Sequence, residues 1–254
     1  MLRDDFIKGM RDGEFHLVYQ PQMTADGARL ASVEALARWR HPTLGELGPA
    51  DFIEPAERCG VIAELGAFML RQACLDALNW PGISVAVNIS ALQLRDPQFA
   101  GTVEGVVREA GLPFKRLELE IVESALIENF DLAIEAITRL RGLGVRVALD
   151  DFGTGFSSLT YLRKLPLDKL KIDKSFVEGV GMIQSAAIVQ AVVALSRALG
   201  LKVTAEGVET EAQWRFLRAC GCHYLQGYLF SRPVRAEEID RMLAAERPAR
   251  PLAG

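Results

Sequence analysis

The chain has 254 residues, half of them hydrophobic, with 29 Lys and Arg against 33 Asp and Glu and a formal net charge of -4. That length and apolar content suit one large domain with a full core, and the acidic balance excludes a basic surface for long nucleic acids. A small anionic substrate stays open if metals and a few local cations receive it. A single domain is expected over 1–254, with its core at about 15–245 and a loose tail at 246–254. Cys59, Cys74, Cys220 and Cys222 are few and unevenly placed, which points to a reducing compartment, and Cys220-Gly221-Cys222-His223 fits no usual zinc spacing. The N-terminus lacks a signal peptide's charge order, and no apolar run is long enough to span a bilayer, so a cytoplasmic domain without membrane contact is expected.

Residues 2–11 carry Phe6, Ile7 and Met10 at helical spacing, a covering helix stopped near Gly13. Strands are expected at 15–23, leading into Gln20-Pro21, and at 30–39. Alternation puts Ser32, Glu34, Leu36 and Arg38 on one face of the second strand, so an acid and a base share a face about 13 Å apart at roughly 3.3 Å per residue. Gly48-Pro49 opens a helix, with Asp51 and Glu54 early, where the dipole favours anions. A second helix follows at about 62–79. Residues 84–90 form a short buried strand with Asn88 near its end, and 97–111 a helix closed by glycine. Leu117–Val122 reads as a strand with Glu118 and Glu120 on one face and Glu123 past its end. The helix at 131–143 turns Ala133, Ala136, Ile137 and Leu140 to one side.

Arg146-Val147-Ala148-Leu149 is an apolar run that should end at Leu149 or Asp150 and turn through Asp151-Phe152-Gly153-Thr154-Gly155. A short helix at 157–164 and a short strand at 170–173 come next. Ile188, Val192, Leu195 and Leu199 make an apolar stripe closed by Gly200. Residues 202–207 form a strand with Glu206 at its end, and Glu211–Cys220 a helix. The segment 223–230 contains Gln226-Gly227, and a last helix covers 236–245. Strand and helix thus alternate about eight times in roughly 250 residues, the pattern of an α/β fold of the (β/α)8 TIM-barrel type.

In that fold the chemistry sits at the carboxyl ends of the strands, where Asn88, Glu120, Asp150, Asp151, Lys171, Glu206 and Gln226 fall, with Glu34 inside the second strand. Five carboxylates against Lys171 and Arg38 would repel unless divalent cations bridge them. Oxygen ligands without His or Cys favour Mg or Mn over Zn. A two-metal site suits in-line displacement at phosphorus, so phosphodiester hydrolysis leads, with Lys171 holding water and Arg38 binding a phosphate oxygen. Each residue also has a plainer role open to it: Asn88 can cap a strand end, and Lys171 can neutralise Asp150 or Asp173 without touching water. Gly153-Thr154-Gly155-Phe156-Ser157-Ser158 lacks the third glycine of a dinucleotide loop, and the acids beside it would repel pyrophosphate.

Glu34-Ala35-Leu36 with Arg38, Asn88-Ile89-Ser90, Glu120-Ile121-Val122-Glu123, Asp150-Asp151-Phe152-Gly153-Thr154-Gly155, Lys171-Ile172-Asp173, Ala205-Glu206-Gly207-Val208-Glu209 and Gln226-Gly227-Tyr228 resemble, in order, the motifs of the EAL-domain family. These are bacterial phosphodiesterases that hydrolyse cyclic di-GMP to linear pGpG, and the likeness runs over about 15–234. It implies a barrel whose first strand is antiparallel to the rest. By the same resemblance, Glu34, Asn88, Glu120 and Asp150 would hold one metal and Asp150, Asp151 and Glu206 a second. Lys171, Glu206 and Glu34 would be catalytic, with Lys171 positioning water. Gln20, Arg38 and Gln226 would meet the nucleotide, and Glu123 would fix the loop 151–159. That loop and the neighbouring helix would form a homodimer contact, and sensory or cyclase domains would flank the domain in a larger protein. Val122 and Phe156 stand where Thr and Tyr are common, so loop anchoring could differ. The other readings are a catalytically silent cyclic di-GMP receptor signalling through its dimer and, further off, a barrel phosphodiesterase for another nucleotide.

Overall fold

A computed structural model of the protein describes residues 2–123, 130–153 and 159–246. Strands β1 (Phe15–Thr24) and β2 (Leu30–His41) form an antiparallel hairpin, and β2 carries the short β3 (Gly45–Leu47) on its edge. From β2 the sheet continues in parallel through β4 (Ser84–Ile89), β5 (Leu117–Val122), β6 (Arg146–Phe152), β7 (Lys169–Ile172), β8 (Lys202–Ala205) and β9 (Tyr224–Gln226). β9 pairs antiparallel with β1, which closes the ring. The result is an eight-stranded barrel with β1 reversed and β3 outside the ring, as the resemblance implied.

Helices fill the outside because each strand turns its aliphatic residues outward. Val85 and Val87, Leu117, Leu119 and Ile121, Val147 and Leu149, Leu170 and Ile172 are all buried. They belong to one hydrophobic core with Leu65, Met69 and Ala73 of α3 (Ile62–Ala77), Val103 and Val107 of α5 (Phe99–Ala110) and Ile137 and Leu140 of α6 (Phe130–Leu143). Helix α1 (Arg3–Arg11) covers the barrel through Phe6, whose ring lies 4.8 Å from that of Trp39. Pro49 opens α2 (Pro49–Arg58) behind Gly48, and α5 ends on Gly111 at φ 77°, both as expected.

Three differences from the sequence reading have local causes. β6 does not stop at Leu149 or Asp150 but runs to Phe152, because it bulges: Leu149 faces Leu170 and Phe152 faces Ile172, so Asp150 and Asp151 oppose Lys171 alone. The helix α9 (Ile183–Ala198) buries Val189, Val192, Val193 and Ser196, while Ile188 is 39% exposed, so the buried face is rotated from the stripe. Helices α4 (Ala91–Leu94) and α8 (Lys174–Glu178) and strand β3 went unpredicted, since three to five residues carry no readable period. After α7 (Leu159–Lys164), helices α10 (Glu211–Cys220) and α11 (Ala236–Glu246) complete the ring. The expectations for Phe156, the Gly155-to-Ser158 stretch and the tail at 247–254 lie outside the described residues. No helix among the described residues is long and apolar enough to cross a membrane.

Candidate active site

Alternation in a closed barrel sends every second residue inward. In most barrels of this kind branched aliphatic side chains fill that space. Here it is polar: Glu34, Glu118, Glu120, Asp150, Lys169, Lys171, Thr204, Gln22 and Gln226 are buried. Strand stagger then gathers the upper members at one rim. Gln20 faces Glu34 across the hairpin, Glu34 pairs with Ala86 two residues before Asn88, Asn88 pairs with Glu120, and Val122 with Asp150.

Lys171 stands at the centre of that rim, 0% exposed. Its Nζ lies 2.6 Å from Glu120 Oε2, 2.6 Å from Glu206 Oε1, 2.9 Å from Asp150 Oδ2 and 3.6 Å from Glu34 Oε2. Burial alone would lower the pKa of this ammonium, but Glu120, Glu206, Glu34 and Asp150 together lift it well above the usual lysine value. In this arrangement Lys171 is a donor to the carboxylates around it. Glu34 is held further by amides: Asn88 Nδ2 donates to its Oε1 at 2.7 Å and Gln226 Nε2 to its Oε2 at 2.5 Å. Gln226 also donates to Gln20 Oε1 at 3.1 Å.

Asp151 reaches this set through strain. On a regular strand two neighbouring Asp side chains point to opposite faces. In the bulge Asp151 has φ 54°, the one positive value among the described non-glycine residues, and its N–H donates to Asp150 Oδ1 at 2.9 Å. The left-handed conformation costs an L residue about 1–2 kcal/mol, and Asp tolerates it better than most. Ligand oxygens of Glu34, Glu120 and Asp150 come within 4.8 Å of one another, as do those of Asp150, Asp151 and Glu206, with Asp150 in both groups.

Charge decides what this arrangement fits. Four carboxylates touch one ammonium, and Asp151 stands beside them. Burial, only partly offset by Lys171, pushes Glu206 up to about 8, and it raises Glu120 well above the carboxylate range. Asp151 is raised by burial, then by Asp150 and Asp173. For Glu34 burial also acts upward, but Lys171 and the two amides outweigh it and hold the carboxyl below its usual value. With a single ammonium set among these carboxylates, the cluster is short of positive charge. Clustered hard oxygen donors with that shortage fit one or two Mg or Mn ions. Glu34, Asn88, Glu120 and Asp150 would hold one and Asp150, Asp151 and Glu206 the other.

Other expected site residues are less engaged. Arg38 is half-buried and donates from Nη1 to the carbonyl of its neighbour Ala37 at 2.7 Å, so Lys171, not Arg38, balances the acids. Glu123 Oε2 accepts the Gly153 N–H at 3.5 Å, at the entrance to the loop it was expected to fix; residues 154–158 of that loop lie outside the described residues. A second polar layer below the rim escaped the sequence reading, although Glu118 was recognised as sharing Glu120's face.

Fold and rim together define a class: a parallel barrel with one reversed strand, gathering carboxylates that could hold metal ions at one rim. The chain belongs to the EAL domain family, whose sequence model matches residues 2–233. NbdA of Pseudomonas aeruginosa, named a cyclic di-GMP phosphodiesterase, is 44% identical over 252 residues, covering 97% of this chain and 32% of that protein. MucR of the same organism, named a bifunctional diguanylate cyclase/cyclic di-GMP phosphodiesterase, is 39% identical over 244 residues, 94% of this chain and 36% of that one. Among solved structures, the c-di-GMP complex of the PaMucR phosphodiesterase matches with a TM-score of 0.88 at 39% identity, covering 93% of this chain and 98% of that chain. The chain spans about a third of the length of these two curated relatives.

Proposed function

We propose that this domain hydrolyses one phosphodiester bond of cyclic di-GMP, giving linear 5′-pGpG, with Mg or Mn as cofactor, two ions per site. The convergence of Glu34, Glu120, Asp150, Asp151 and Glu206 around Lys171 carries the reading. The names of NbdA and MucR and the ligand in the PaMucR structure support the substrate. Bound divalent cations lower the pKa of water and offset charge on the phosphoryl oxygens.

The chain's own groups supply the rest. With the carboxylates drawn to the cations, Lys171 Nζ donates to the attacking water and orients it in line with phosphorus. Glu206, whose Oε1 lies 2.6 Å from the same ammonium, takes the proton that water gives up. As the new P–O bond forms the P–O3′ bond breaks, and the released 3′ oxygen takes up a proton from solvent while Glu206 returns its own, leaving a linear dinucleotide with a 5′-phosphate. Gln20, Arg38 and Gln226 meet the nucleotide.

The same proposal includes a single domain over 1–254, a cytoplasmic setting, flanking sensory or cyclase domains, and a homodimer through the loop after Asp151 and the neighbouring helix. A silent receptor would be expected to lack a ligand or the lysine, and this chain has all of them. Incubation of the purified protein with cyclic di-GMP, read by chromatography, tests the reading. With Mg or Mn a single linear product should accumulate, and excess chelator should stop it. Binding without turnover would establish the receptor instead, and full activity in chelator would remove the metals.

A further inference from the structure

Three strands repeat a residue two positions apart, Gln20 and Gln22 on β1, Glu118 and Glu120 on β5, and Lys169 and Lys171 on β7. The upper member of each pair belongs to the rim. The lower members, Gln22, Glu118 and Lys169, meet one another inside the barrel, all at 4% exposure or less. Lys169 Nζ donates to Glu118 Oε1 at 2.6 Å and to Gln22 Oε1 at 3.3 Å, and lies 4.9 Å from the centre of the Tyr224 ring. Ser32 Oγ donates to the same Gln22 oxygen at 2.7 Å.

An ammonium can only donate, so the Gln22 carbonyl oxygen must face Lys169 and its amide N–H must face the other way. That way lies Glu120: Gln22 Nε2 is 3.4 Å from Oε1, while Lys171 holds Oε2 at 2.6 Å. The two oxygens of Glu120 are thus addressed separately, one by the rim and one from below. Aliphatic residues would fill this layer without the desolvation a buried ion pair entails. We propose that Gln22 is a positioning residue, oriented by the Lys169–Glu118 pair, that sets the carboxylate plane of Glu120 for a divalent cation. This rests on the reading above, in which Glu120 is a metal ligand.

At 3.4 Å the contact is long for a hydrogen bond, so its action is directional and its effect belongs at the low end of the 10- to 100-fold range for groups behind a ligand. Calorimetric titration of the whole chain with Mn, together with steady-state kinetics on cyclic di-GMP, provides the test. Gln22→Met should weaken Mn binding about tenfold and lower kcat at limiting metal, with recovery at saturating metal and KM unchanged within about twofold. Thr204→Val, in the same interior, removes a buried hydroxyl that has no hydrogen-bond partner among the described residues and should leave Mn binding unchanged. If melting in chelator shows that Gln22→Met is poorly folded, the paired change Glu118→Met with Lys169→Met, which frees the amide without stranding a charge, should weaken Mn binding in the same direction. Mn affinity in Gln22→Met within twofold of the parent would overturn the proposal, as would equal weakening by Thr204→Val. If the parent bound no Mn, the metal-dependent function itself would have failed, a separate result.

Discussion

Asp150→Asn should give a folded protein that no longer turns over cyclic di-GMP. Asp150 is the one residue common to both groups of converging oxygens among the described residues, so in the proposed site it would serve both cations. An amide that accepts the Asp151 N–H through Oδ1 keeps the bulge, but it turns its NH2 toward Lys171 in place of an accepting oxygen and offers a neutral ligand where a shared anion is needed. Loss of about a thousandfold or more in kcat/KM is expected, roughly 4 kcal/mol of transition-state stabilisation. Stability should move little, because the substitution removes one anion from a cluster already short of cations. Melting followed by circular dichroism should therefore give similar midpoints for the two proteins in chelator, with the rise on adding Mg much reduced in the variant. Retention of parental activity would remove Asp150 from the metal site.

Lys171→Met should act on both stability and rate. The methionine keeps the length of the side chain but leaves Glu34, Glu120, Asp150 and Glu206 without the ammonium that touches all four. Breaking one side of a buried ionic set costs about 3–5 kcal/mol, so the metal-free variant should melt well below the parent, and saturating Mg should recover much of the difference. Under saturating metal kcat should fall roughly 100- to 1,000-fold with KM changed only a few-fold, the pattern of a lost donor acting on the reacting water. An unchanged kcat in the folded, metal-loaded variant would leave Lys171 as a structural counter-ion alone.

Much of this was legible along the chain because barrel strands alternate strictly. Glu118 with Glu120 and Ser32 with Glu34 could be put on common faces by counting in twos, and the glycines and prolines at helix ends placed the turns between strands. Contacts across strands were not legible. Nothing local joins Lys169 to Glu118 or Gln22, which meet only when the sheet closes, so the lower polar layer went unseen. Asp151 defeated strict alternation for another reason: a bulge with φ 54° turns it toward the side that alternation assigns to Asp150. In α9 eleven of the sixteen residues are apolar and they lie on more than one face, so Val189 and Val193 could take the buried face from Ile188.

Anomalous X-ray scattering from crystals grown with Mn offers the most direct check that the crowded rim exists to hold cations. One peak is expected among the oxygens of Glu34, Asn88, Glu120 and Asp150, and a second among those of Asp150, Asp151 and Glu206. Mn bound elsewhere on the surface, with Lys171 alone still bridging the carboxylates, would contradict the account.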